Sequence, residues 1–336
     1  MPTTAVMTVR GPVDPSTLGH VQLHEHLICD LSPYTGQAGD EIRLDNFAAA
    51  RIDMASGFDM RLDDPDLAVR ELAAYTSHGG GTIVEATSVG LGRDPAALAW
   101  IAERTSAHIV MGSGYYVGPF HPSSVATATD DDITAEIVRD LTTGIDGIRA
   151  GIIGEIGMSA PRQPDEEKVL RAAARAQAAT GAALLIHPGR SASSPFDHVE
   201  VVRSAGGDLS RTIMCHIDRT LFDVASMIRL ADTGVVLEFD LFGEETTYYP
   251  LNPDIDRPND GQRVAWIRGL VERGYGRQVV IAQDICRKTR LLRWGGEGYA
   301  HIRQRVVPLL LARGLSAAQV DTICRTRPAE LLTRPV

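Results

Sequence analysis

Lysine is almost missing from this chain. Of its 33 basic residues only Lys168 and Lys288 are lysines, so any role that needs a lysine amine has two places to find one. Aromatic residues are scarce as well, at 5%, which leaves Val, Ile, Leu and Ala to fill the core that a 44% hydrophobic content supports. The four cysteines, Cys29, Cys215, Cys286 and Cys324, are scattered and form no C-x-x-C pair. That excludes a disulfide framework and points to a reduced, cytoplasmic setting. No apolar run approaches the roughly 20 residues that span a bilayer. The opening MPTTAVMTVRG lacks the charged-then-apolar pattern of a secretion signal. Positive charge is in deficit, with a net charge of −10, which argues against nucleic acid or an anionic membrane as partner. A small-molecule substrate remains, even an anionic one, because a local group of arginines can still bind it. The sequence allows a homodimer without specifying one.

What the chain does have is alternation. Short β-type runs occur at Val21–His26, Thr82–Ala86, His108–Gly112, Gly151–Ile156, Ala183–His187, Thr212–His216, Val235–Phe239 and Val279–Gln283. Helical spacing of apolar residues follows each, at Asp64–Ser77, Pro95–Arg104, Ile133–Thr142, Glu166–Ala179, Asp197–Ala205, Leu221–Asp232, Gly261–Arg273 and Tyr299–Ala312. Eight strand–helix units with apolar strands predict an α/β fold, a (β/α)8 TIM barrel spanning residues 1–336 as one domain. A doubly wound open sheet alternates similarly, so the strand ends must decide. Ala5–Arg10 followed by Gly11-Pro12 reads as a short N-terminal hairpin closing the barrel bottom. Leu27–Asp63 and Phe242–Asp260 are too long for ordinary connections and follow strands, which makes them candidate walls or lids on the C-terminal face.

The strand ends carry chemistry. His24 and His26 flank Glu25, and residues two apart on a strand share a side, so both imidazoles are expected inside the barrel with Glu25 outside. Alone, H-x-H is weak. But His187 closes the fifth strand, His216 the sixth and Asp284 the eighth, and Glu155 stands near the end of the fourth. Five strands thus end in histidine or carboxylate on the face where barrels place their active sites. Unpaired, these groups would be strongly destabilising at an apolar mouth. Four imidazoles and two carboxylates exceed the needs of one tetrahedral zinc and suit two divalent ions, zinc or manganese, sharing a bridging hydroxide. His20, His78, His108, His121, His198 and His301 lack this placement.

In HEHL, IVEATSVGLGRD, GIIGEIG, IHPGRS, CHIDRT, LEFDLFG and AQDI the chain resembles the phosphotriesterase-related branch of the amidohydrolase superfamily, over nearly its whole length. The resemblance implies that His24, His26 and Asp284 hold one ion and His187 and His216 the other. It implies hydrolysis of N-acylated taurine or amino acids, with Asp284 taking a proton from the nucleophile and passing it to the leaving amine. The chain departs from true phosphotriesterases twice. Their carboxylated bridging lysine is replaced here by Gly154, next to Glu155, and neither lysine lies nearby. For Glu155 to bridge instead, Gly154 and Gly157 must permit a local distortion that turns it inward. Asp240 is followed by Leu241, where phosphotriesterases carry a histidine and related lactonases an arginine. Lactonase or phosphotriesterase-like esterase activity is the alternative, and a ligand-binding homologue without catalysis is the second.

On the substrate side, Arg190, Arg219, Arg287, Lys288 and Arg290 fall in the mouth loops. Arg190 is read as gripping an anionic substrate tail. Arg219 is read as structural, paired with Asp218, Asp240, Glu238 or Glu244. Tyr115 and Tyr116 are candidates to line the acyl pocket, with packing of the third loop as the alternative.

Overall fold

The computed structural model describes residues 4–36 and 38–336. Eight strands form one parallel sheet in chain order: β1 (His20–Glu25), β2 (Gly80–Glu85), β3 (His108–Ser113), β4 (Ile152–Gly157), β5 (Leu184–His187), β6 (Thr212–Met214), β7 (Val236–Phe239) and β8 (Val279–Ile281). Just beyond β8, the Asp284 amide donates to the His24 carbonyl on β1 at 3.1 Å and closes the ring. The architecture is the (β/α)8 barrel.

Two apolar layers follow from strand alternation. Leu23, Val84, Val110, Ile152, Leu185, Ile213, Val236 and Val280 pack inside the barrel. Ile83, Ile109, Ile153, Leu184, Leu237 and Val279 face the surrounding helices. Each fully buried aliphatic side chain contributes about 1.5–3 kcal/mol, so the inner layer gives the site above it a stable floor.

Helix starts are fixed by side-chain caps. Asp64 and Asp94 accept from the Leu67 and Ala97 amides, each with proline at the next position. The helix expected from Ile133 begins earlier, at Asp130, because Thr129 and Asp132 form a capping box that apolar spacing does not reveal. The final expected helix includes a wide turn, Ile302–Val306, before Val307–Ala312. At the barrel bottom the hairpin of Thr4–Thr8 and Gly11–Val13 gains a third strand, Thr333–Pro335, antiparallel to the first. A three-residue strand ending in proline has no readable period. No helix is long and apolar enough to cross a membrane.

Both long connections lie over the C-terminal mouth. Leu27–Asp63 carries a short strand pair, Cys29–Asp30 with Arg61–Leu62, and the helix Phe47–Asp53. It lines the central cavity with Leu31, Tyr34, Met54 and Met60. Phe242–Asp260 contributes Glu244, Tyr249, Leu251 and Arg257 to the same cavity.

Candidate active site

His24, His26, Glu155, His187, His216 and Asp284 meet at the barrel mouth, each delivered by a local departure from regular strand geometry or by plain alternation. On β1, Leu23 packs inside the barrel while Gln22 points out and donates to the Tyr299 carbonyl. Strict alternation would send His24 out with Gln22. The β1–β2 register slips between Gln22 and Glu25, so His24 follows Leu23 inward, Glu25 faces out and His26 returns inward. On β4, Ile153 pairs with Leu184 but Ile156 with Ile186, three residues against two. The extra residue lies in Gly154–Glu155 and turns the Glu155 carboxylate into the barrel. Gly154 has φ +118°, and a Cβ there would stand 2.4 Å from the Leu185 carbonyl oxygen; at Gly157 it would stand 2.2 Å from the Val117 nitrogen. Neither position accepts a side chain, so the lysine of phosphotriesterases cannot occupy Gly154 in this backbone. His187 arrives by alternation after Leu185. His216 and Asp284 sit at strand ends with φ of 53° and 49°.

Glu155 divides its two oxygens between two pairs of imidazoles. Oε1 lies 3.6 Å from His24 Nε2 and 3.5 Å from His26 Nε2. Oε2 lies 2.9 Å from His187 Nδ1 and 3.7 Å from His216 Nε2. Asp284 Oδ1 is on the first side, 3.7 Å from His24 Nε2 and 3.2 Å from His26 Nε2. His216 Nε2 and His187 Nδ1 are 2.7 Å apart. Burial opposes ionisation of Glu155, but His24 and His187 outweigh it and hold the carboxyl well below its usual range.

An outer layer sets the rings. Thr87 Oγ1 donates to Glu85 at 2.7 Å, so it accepts from His26 Nδ1 at 2.8 Å, and the His26 lone pair is left on Nε2. The Asp240 carboxylate accepts from His216 Nδ1 at 2.8 Å and from the His216 amide at 2.9 Å. His216 therefore also presents Nε2 to the cluster. Asp240 further stands 3.4 Å from His24 Nδ1. His24 Nε2 is buried with no hydrogen-bond partner. Lone pairs aimed inward, an orphaned buried ring nitrogen and a two-sided carboxylate are what a pair of cations requires. None of His20, His78, His108, His121, His198 or His301 joins a candidate metal-binding group among the described residues.

The remaining predicted residues separate. Tyr116 lines the cavity with its hydroxyl 3.4 Å from the His187 ring. Tyr115, its neighbour on the opposite side of the chain, is turned away and donates to Glu136 at 2.7 Å, so it packs the third loop against the helix layer. Arg190 lines the cavity, and its Nε donates to the Tyr249 hydroxyl at 2.8 Å. Arg287 and Arg290 pair with Glu244, and Lys288 pairs with Asp63. Arg219 has none of the carboxylates expected for it. Asp218 is taken by Arg263 at 2.7 Å, and Arg219 Nη2 instead donates to the Pro188 carbonyl at 3.1 Å and stands 3.0 Å from His187 Nε2. Sequence reasoning missed the ring-setting roles of Asp240, Glu85 and Thr87. Their signal was the spacing of E-x-T and E-x-D, two residues apart at the ends of β2 and β7.

A model of the phosphotriesterase family matches residues 4–332. The chain is 41% identical over 340 residues to the N-acetyltaurine hydrolase of Rattus norvegicus, covering 98% of this chain and 97% of that one. It is 40% identical to a phosphotriesterase-related protein of Nematostella vectensis, covering 97% of each. Among solved structures, a resiniferatoxin-binding protein from Rhodobacter sphaeroides superposes with a TM-score of 0.92 at 35% identity, covering 98% of this chain and 94% of that one.

Proposed function

Because the chain belongs to the phosphotriesterase family and is a hydrolase, we propose that it cleaves the amide of small N-acylated amines bearing an anionic tail, of the N-acetyltaurine or N-acyl amino acid type. The observation that carries the metal side of this reading is the division of Glu155 between two imidazole pairs. His24, His26 and Asp284 would hold one divalent ion, His187 and His216 the other, and Glu155 both; zinc is the first candidate and manganese the second. Ions bound there would supply a hydroxide nucleophile near neutral pH and polarise the carbonyl. Asp284 lines the cavity, and in this reading it would take the nucleophile's proton and return it to the leaving nitrogen. Arg190, with no carboxylate within 4.0 Å among the described residues, gives an anionic tail its partner. Leu241 also lines the cavity, at the position where a relay histidine or a lactonase arginine would stand. The substrate side is supported by that free cation and by the likeness to N-acetyltaurine hydrolases.

The test is metal analysis of purified protein alongside a panel of N-acetyltaurine, N-acyl amino acids, a lactone and a phosphotriester. Amide cleavage with two divalent ions per chain is the expected result. Efficient phosphotriester or lactone turnover without amide cleavage would overturn the substrate assignment. Binding of ligands with no turnover of any kind would make the chain a binding homologue, a reading that the likeness to a resiniferatoxin-binding protein keeps in view.

A further inference from the structure

We propose that Arg190, Arg219 and Tyr249 form a built oxyanion subsite beside His187, in which Arg219 reads the charge of the ligand as directly as Arg190 does. The inference rests on the hydrolase reading for its substrate but on the cavity itself for the anion.

Five arginines line the cavity: Arg190, Arg219, Arg257, Arg287 and Arg290. Three of them converge on one carboxylate. Glu244 lies 3.2 Å from Arg257 Nη1 and 3.0 Å from Arg290 Nη1, and it also pairs with Arg287. Burial opposes the Glu244 charge, but Arg287 and Arg290 outweigh it and hold its carboxyl well below the usual range. Those three are therefore neutralised in part and tie the mouth loops together.

Arg190 and Arg219 are different. Among the described residues neither has a carboxylate within 4.0 Å. Arg219 is only 3% exposed, and its Nη1 is buried with no hydrogen-bond partner at all. A buried cation without a counter-charge is costly and persists where something else supplies the charge. Both guanidiniums share the cavity with the Tyr249 phenol. Tyr249 accepts from Arg190 Nε at 2.8 Å, and its ring centroid lies 5.7 Å from Arg190 Cζ. Burial works against ionisation of the Tyr249 hydroxyl, yet the positive fields of Arg219 and then Arg190 overcome it and bring its pKa below the usual tyrosine range. Tyr249 thus registers both cations at once. What remains free is the terminal edge of Arg190 and Nη1 of Arg219.

These donors match an anion with at least two oxygens on one centre, a sulfonate or a carboxylate. The location fits a tail. Arg219 Nη2 is 3.0 Å from His187 Nε2, on the side of that ring away from Glu155, so an anion held here leaves its chain room to bring an amide toward the cluster.

The experiment compares wild type with Arg219→Gln, Arg219→Lys and Tyr249→Phe, with metal content measured for each. The first readout is calorimetric binding of propane-1-sulfonate and of butyrate, with 1-propanol as the neutral control. The second is the ratio of kcat/KM for N-acetyltaurine over N-acetylethanolamine, its neutral counterpart. Arg219→Gln should weaken propane-1-sulfonate binding and lower that ratio by about 10-fold or more, mainly through KM, because a charged hydrogen bond is lost. Arg219→Lys should recover part of both, and Tyr249→Phe, which releases Arg190, should lower the ratio by a smaller factor. Stronger loss for propane-1-sulfonate than for butyrate identifies a sulfonate site, and the reverse a carboxylate site; either supports the proposal. Equal losses on the two amides, or unchanged binding of both propane-1-sulfonate and butyrate, would overturn it. If Arg219→Gln does not fold, the same comparison on Arg219→Lys and Tyr249→Phe decides. Anion binding that depends on Arg219 in a protein cleaving neither amide would leave the subsite standing and the hydrolase substrate wrong.

Discussion

Glu25 accepts hydrogen bonds from the amides on both sides of Asp284, from Gln283 at 2.8 Å and from Ile285 at 2.9 Å. Asp284 itself is held at φ 49°, a left-handed conformation uncommon outside glycine. The middle residue of His24-Glu25-His26 therefore fixes a carboxylate on the far side of the ring closure, while its two neighbours face that carboxylate from inside. Glu25→Ala should strand two buried amides at about 1–3 kcal/mol each. It should also let Asp284 drift, and misplacement by about 1 Å can lower turnover by around 100-fold. Steady-state kinetics with metal analysis checks this. Wild-type kcat in a folded Glu25→Ala protein would show that Asp284 is placed without it.

Glu155 should prove indispensable to the metals. Glu155→Ala is expected to bring the content below two ions per chain and to remove nearly all turnover, because among the described residues no other carboxylate contacts all four imidazoles. Bicarbonate should leave metal loading of the wild type unchanged. A carboxylated lysine has no source here: Lys168 Nζ is engaged by the Val125 carbonyl and Asp165, and Lys288 by Asp63. Loading that requires bicarbonate, measured by elemental analysis after reconstitution, would refute the assignment.

The barrel and the six clustered donors were legible because both are written in residue type. Strand alternation repeats eight times, and histidine or carboxylate stands at five strand ends. The inward turn of Glu155 was readable from its glycine neighbours. The slip within β1 was not, although the inward placing of His24 and His26 was. Nothing in VQLHEH announces that Leu23 and His24 share a side, since the slip is set by pairing with β2. Tyr115 and Tyr116 are indistinguishable until the backbone chooses which faces the cavity. Arg219 misled for a related reason. One of its expected partners, Asp218, is next to it in sequence, but Arg263, buried on a helix 45 residues further on, takes that carboxylate first. Competition between distant residues leaves no mark in local spacing.

Metal uptake should be opposed by protons. Burial works against charge on His216, but the Asp240 carboxylate outweighs it and pushes the metal-free ring up to about 9. A histidine raised in the folded state stabilises the metal-free protein most fully below its unfolded value of 6.5, and this contribution fades as pH rises through about 9. A cation at Nε2 must displace that proton, so apparent metal affinity should rise steadily from pH 6 to about 9, with proton release on binding. Asp240→Asn removes the carboxylate that holds the proton and should flatten the trend. Titration with a chelator-buffered metal across this range measures it, and an affinity independent of pH would exclude His216 as a proton-competed ligand.

Asp284 is expected to serve as ligand and as proton carrier, and the two roles can be separated. Its Oδ1 faces His24 and His26 at 3.7 and 3.2 Å, the distance range in which a shared cation would sit between them. The Asp284 side chain is also the part of the cluster most open to the cavity, 16% exposed against 4% for Glu155, which a group exchanging protons with a substrate needs. Asp284→Asn keeps the shape and one oxygen but removes the basic one. The backbone clamp from Glu25 acts on the neighbouring amides and survives the change, so the fold should hold. Turnover should fall by about 10²–10⁴-fold, the range of lost acid–base catalysis, and further if an ion is lost as well. Measuring kcat at matched metal content separates the two effects. If Asp284→Asn with both ions bound turns over at the wild-type rate, another group carries the proton.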